Sequence, residues 1–168
     1  MNGALAVAFW ASTLLNPNYP LLDGFSERVE ARQGTVSMSV LEFQREVVGT
    51  EIGYSQTAHI AYGPIQPIWM TTITDDGGLW AGLGAYNNIK FTDDIFSAFY
   101  FIPGIYVGLE EVNLGGWLMF RSGIEVGMQI DERWSISMAY DHRSSGDLWE
   151  YNPGLETWQI RINRNLDR

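Results

Sequence analysis

From Gly34 onward the chain alternates oily and polar residues with a period of two, the signature of strands with one apolar and one polar face. In Gly116 to Ile130 one phase holds Leu118, Phe120, Ile124, Val126, Met128 and Ile130, and the other holds Arg121, Gly123, Glu125, Gly127 and Gln129. Seven further runs of strand character are Thr35 to Val47, Glu51 to Tyr62, Ile65 to Thr74, Leu79 to Lys90, Ile95 to Glu110, Arg133 to Ser144 and Leu155 to Asn163. Turn signals separate them at Gly49-Thr50, Asp75-Asp76-Gly77-Gly78, Val112-Asn113-Leu114-Gly115 and Asp131-Glu132. Eight is the smallest even number at which an antiparallel outer-membrane barrel closes. The pattern predicts an all-β fold: an eight-stranded antiparallel transmembrane β-barrel of the outer-membrane type, with oil outside and charge and glycine inside. Gly82 and Gly84, on the polar phase that alternates with Leu79, Ala81 and Leu83, suit a crowded lumen.

The first 33 residues lack this alternation, which divides the chain into an N-terminal leader or connector, 1–33, and a barrel domain, 34–168. Ala4 to Leu15 is an apolar run that reads either as a short signal-peptide core or as a loose or helical segment packing against the domain. No basic residue precedes it and no small-x-small cleavage site follows. Asn16 to Pro20 reads as a turn, and Leu21 to Gln33 as a charged connector of helical character.

Composition supports a lipid-facing wall. Charged residues make up 18% of the chain, below the quarter or so usual for soluble domains, while the aromatic share is high. No run approaches the roughly eighteen apolar residues of a spanning helix, so any membrane crossing falls to strands. A formal net charge of -10, with Lys90 the only lysine, argues against nucleic acid as a partner. The chain has no cysteine, which excludes disulfide and thiol chemistry.

The candidate chemistry lies in Tyr140 to Trp158, where His142, Ser144 and Glu156 occur in that order. A hydroxyl becomes a nucleophile when a base takes its proton, and an imidazole does so best when a carboxylate holds its other nitrogen. The apolar phase Trp134, Ile136, Met138 and Tyr140 continues onto His142 and Ser144. Beyond the loop, Glu156 shares the phase of Trp158, Ile160 and Ile162. All three therefore fall on the apolar face of two strands joined by one loop, where polar groups are costly unless they have work to do.

The segment resembles the active-site stretch of the PagL-type lipid A 3-O-deacylases. The matching pieces are His142-Arg143-Ser144, then Asn152-Pro153-Gly154 and Glu156. The resemblance implies an outer-membrane barrel whose site faces lipid, with Ser144 as nucleophile, His142 as base and Glu156 as the residue that orients it. It also implies cleavage of the ester to the 3-hydroxyacyl chain at position 3 of lipid A, without metal or cofactor. Ser145 stands where the family usually has Asn. The backbone N–H groups around Ser145 and Gly146, with the Asn152 side chain, are the candidate oxyanion donors. The expected partners are lipopolysaccharide and membrane lipid, with a homodimer as an open assembly. The expected location is the bacterial outer membrane, with the loop from Ser145 to Gly154 extracellular.

Two other readings stay open: a non-enzymatic structural or adhesin-like barrel, and a soluble lipocalin-like binder of a hydrophobic ligand. His59 reads as a lumenal strand residue rather than a metal ligand, since nothing is spaced to complete a site. Gly82-x-Gly84 lacks the third glycine of a dinucleotide site. Asp75-Asp76 and Asp93-Asp94 read as solvated turns, with calcium binding as their other reading.

Overall fold

A computed structural model describes residues 3–19, 24–108 and 112–168. Eight strands close into one antiparallel barrel: β2 (Gln33–Phe43), β3 (Glu46–Thr57), β5 (Gln66–Thr74), β6 (Leu79–Lys90), β7 (Ile95–Val107), β8 (Leu118–Gln129), β9 (Trp134–Ser144) and β10 (Leu155–Asn165), with β10 pairing back onto β2. The shortest has 9 residues and the longest 13, enough for a tilted strand to cross the hydrocarbon layer. No described helix is long and apolar enough to do so.

The two phases fall where alternation puts them. Met38, Leu83 and Met138 point outward and are 68%, 71% and 68% exposed, a cost in water that hydrocarbon removes. The lumen carries charge. Among the described residues, Arg121 donates to Asp141 at 2.7 Å and to Glu51 at 2.8 Å, Arg143 donates to Glu51 at 2.5 Å, and Arg161 donates to Glu125 at 2.8 Å. Tyr100 and Gln159 also donate to Asp141, while Ser137 and Asn163 donate to Glu125. The Arg121 and Arg143 guanidinium groups lie 5.4 and 5.6 Å from the Trp80 ring. That ring needs the space beside Gly82 and Gly104, where a Cβ would come within 2.9 and 2.7 Å of it. A polar, filled lumen inside an oily wall is the inverse of a lipocalin-like ligand binder.

Several boundaries differ from those the sequence suggests. The first hairpin turns at Gln44-Arg45 rather than Gly49-Thr50, with Gln44 at φ 52° and Arg45 at φ 72°. Paired left-handed residues match the twist of the flanking strands, so a two-residue turn closes there without glycine. Gly49 instead pairs with Leu41 inside the ladder. The run Glu51 to Tyr62 is broken: β3 stops at Thr57, and Ile60–Tyr62 forms β4, paired with β1 (Glu27–Val29) in a separate small sheet. The connector thus contains a strand rather than a helix, because the free edge of β4 offers it hydrogen-bond partners. Residues 20–23, and Leu109 and Glu110 of the expected fifth run, lie outside the described residues, and β7 ends at Val107. His59 sits outside any strand and is exposed, with Nδ1 3.3 Å from Asp167. Asp167 also takes Arg32 at 2.6 Å, and that guanidinium holds its carboxyl down at about 2.

Ala4–Leu15 forms one helix, α1, lying on the outside of β6, β7 and β8. Phe9 is buried against Phe101, with ring centroids 6.3 Å apart. Asn87, on the outward phase of β6, donates to Ser12 at 2.9 Å and accepts from Asn16 at 2.6 Å. Asn16 also accepts from the N–H groups of Asn18 and Tyr19, which makes the expected turn.

Candidate active site

The end of the barrel where β9 stops and β10 begins carries the candidate residues. Antiparallel register sets Glu156 directly opposite His142 and Trp158 opposite Tyr140. His142 Nδ1 lies 2.8 Å from Glu156 Oε1. With the carboxylate on that side, Nδ1 carries the hydrogen and Nε2 presents its lone pair. Nε2 is buried and without a hydrogen-bond partner among the described residues.

Ser144 ends β9 on the same outward phase and is 8% exposed. It shares with His142 a cavity of about 190 Å³, walled by Phe101, Phe120 and Ser122 of the barrel, by Gly146, and by Gly3 and Ala6 at the start of α1. The Phe101 and Phe120 rings stack at 5.8 Å with planes 13° apart. The side chains that line the cavity are therefore oily except for the hydroxyl groups of Ser144 and Ser122 and the His142 imidazole. The structure brings His142 and Glu156 into contact and Ser144 into the same cavity, without a hydrogen bond between Ser144 and His142. Such bonds commonly tighten only when substrate is bound.

The loop after Ser144 is tied down internally. The Ser145 N–H donates to Asn152 Oδ1 at 2.8 Å, and Asn152 Nδ2 donates to Asp147 at 2.9 Å. Ser145 and the Asn152 amide are thus engaged with the loop itself. Gly146 and Asp147 follow with φ 63° and 64°, which turns the chain sharply away from the strand. Gly154, with φ 75°, returns it beside the histidine: a Cβ there would sit 2.5 Å from His142 Cε1. Across the rim, Trp149 of this loop packs on Trp117, 6.4 Å between rings.

Sequence reasoning missed three parts of this arrangement. Tyr140 donates its hydroxyl hydrogen to Glu156 Oε2. Its signal was present, since it shares the phase of His142, but it reads equally well as a membrane-facing aromatic. Gly154 as a neighbour of the imidazole carried only the signal of a turn residue. The β7 wall carried none and α1 only the reading of a segment packed on the domain, because where each meets the site is a matter of packing alone. Among the described residues there is no cluster of three or more His, Cys, Asp or Glu side chains suited to a metal.

Comparison with known proteins gives this geometry a family. The model of the family "Lipid A 3-O-deacylase (PagL)" matches residues 56–165, most of the barrel and with it His142, Ser144 and Glu156. Among solved structures, the outer membrane enzyme PagL superposes with a TM-score of 0.59 at 16% identity, covering 77% of this chain and 97% of that one. A de novo designed transmembrane β-barrel gives 0.58 at 10% identity, covering 84% and 100%. Neisserial surface protein A gives 0.53 at 9% identity, covering 84% and 99%. At such identities these likenesses concern the fold. Comparison with curated proteins gives no match. The family match spans well over half of the chain, and with it the protein belongs to the PagL family of lipid A 3-O-deacylases, as a β-barrel of the outer membrane.

Proposed function

We propose that this protein removes the ester-linked 3-hydroxyacyl chain from position 3 of lipid A, using Ser144, His142 and Glu156. The observation that carries the reading is the 2.8 Å contact of His142 Nδ1 with Glu156 on the outward face of the barrel, with His142 lining the same cavity as Ser144. Ser144 Oγ attacks the ester carbonyl while its proton passes to His142 Nε2, and Glu156 stabilises the imidazolium that forms. The collapsing intermediate expels the sugar hydroxyl, which takes the proton from His142. Water, activated by the same histidine, then releases the 3-hydroxy acid from Ser144. The oily cavity walled by Phe101 and Phe120 accommodates acyl carbon next to the reacting bond. Because Asn152 holds the Ser145 N–H, the Gly146 N–H is the oxyanion donor favoured within that stretch. The loop from Ser145 to Gly154 faces outward from the cell, which puts the site at the leaflet that contains lipid A.

Mass spectrometry of lipid A from cells with and without the protein tests this. Loss of one 3-hydroxyacyl group is expected with the parent protein and not with Ser144→Ala, whose turnover should fall about a thousandfold or more. Unchanged lipid A in cells that hold the folded parent protein would favour a non-enzymatic barrel. A mass shift that persists in Ser144→Ala would remove the nucleophile assignment.

A further inference from the structure

Glu156 has two carboxylate oxygens, and the mechanism above uses one. Oε1 faces His142, whereas Oε2 accepts the hydroxyl hydrogen of Tyr140. Among the described residues these are the side-chain donors to Glu156. Tyr140 stands two residues before His142 on the same face of β9. Its ring packs 4.6 Å from that of Trp158, its register partner on β10, with planes 49° apart. Glu156 and Tyr140 are therefore diagonal neighbours across the ladder, within reach of a long side chain.

The Glu156 side chain is 28% exposed on a wall that otherwise meets lipid. A carboxylate in such a place is costly unless donors meet its oxygens. A phenol suits this task because it donates without bringing a positive charge, so the carboxylate keeps its pull on the imidazole. With one donor on each oxygen, the carboxylate plane cannot swing away from Nδ1. Trp158 in turn holds the phenol in place. We propose that Tyr140 is a positioning residue of the hydrolase site, acting on the reaction through Glu156 and His142 and never touching substrate. This rests on the Ser-His-Glu reading.

Tyr140→Phe keeps the ring and its packing on Trp158 and removes only the hydroxyl. The full chain, refolded in detergent micelles, is assayed with a p-nitrophenyl acyl ester as probe. The expected result is a fall in kcat of about tenfold with KM unchanged within about twofold, the size of one charge-assisted hydrogen bond. In a Glu156→Ala background the same substitution should change nothing further. A second readout needs no turnover: in His59→Gln protein the remaining imidazole signal is that of His142, and its Nδ1 proton should exchange with water about tenfold faster once Tyr140 is Phe. Parent-like kcat and exchange in Tyr140→Phe would overturn the proposal. So would an equal loss of kcat with and without Glu156. Undiminished hydrolysis by Ser144→Ala would instead remove the serine reading, and the exchange measurement would still decide the role of Tyr140.

Discussion

His142 and Arg143 are adjacent in the chain and do opposite work, because a strand sends successive side chains to opposite faces. His142 goes outward to Glu156, and Arg143 goes inward to Glu51. Gly154 shows the tolerance at this scale. Its φ of 75° is costly for a residue with a Cβ, and a Cβ would press on His142 Cε1. Gly154→Ala should therefore displace the ring from Glu156 and lower kcat about tenfold or more, while the unheated protein still migrates as a folded barrel on gels. Parent-like kcat in a folded Gly154→Ala protein would show that the ring has room to spare. The residue types of the candidate site were legible in the chain, since alternation put His142, Ser144 and Glu156 in one phase. The second donor to Glu156 was not, because a phenol two residues from a histidine looks like any outward aromatic until the register across the hairpin is known.

At the scale of elements, the hairpins carry the differences between expectation and structure. Gly49-Thr50 looked like a turn because glycine usually supplies the positive φ that a tight hairpin needs. The ladder instead continues through Gly49, and Gln44-Arg45 accept the left-handed conformation. Strand pairing over β2 and β3 outweighs a local cost of roughly 1–2 kcal/mol per residue. Gln44→Asn with Arg45→Gly should recover part of that cost and stabilise the barrel by about 1 kcal/mol. A raised urea midpoint for unfolding from lipid vesicles would show this, and a midpoint at or below that of the parent would count against the assigned turn. The division of Glu51 to Tyr62 into β3 and β4 was invisible for a related reason. Both halves alternate correctly, and only the pairing of β4 with β1 decides where one ends.

For the whole molecule, stability and function use opposite sides of one wall. The lumen is held by buried ion pairs, and the outer face is left to lipid and to the candidate site. Arg121 links Glu51 to Asp141. Arg121→Leu should leave both carboxylates short of a partner and cost about 3–5 kcal/mol, read as a lower urea midpoint for tryptophan fluorescence. A cost below about 1 kcal/mol, the range of surface pairs, would mean that the lumen is wetter than its packing implies. The sequence by itself determined the number of barrel strands, the division of each into an oily and a polar face, and the phase shared by the three candidate residues. It could do so because burial in a membrane barrel is written as a period of two. Tertiary structure alone decided the register that sets Glu156 against His142, the phenol on its other oxygen, and the helix and phenylalanines that wall the cavity. Those depend on which strand lies beside which and on how far each has slid, and a pattern with a period of two reads the same after every shift of two residues.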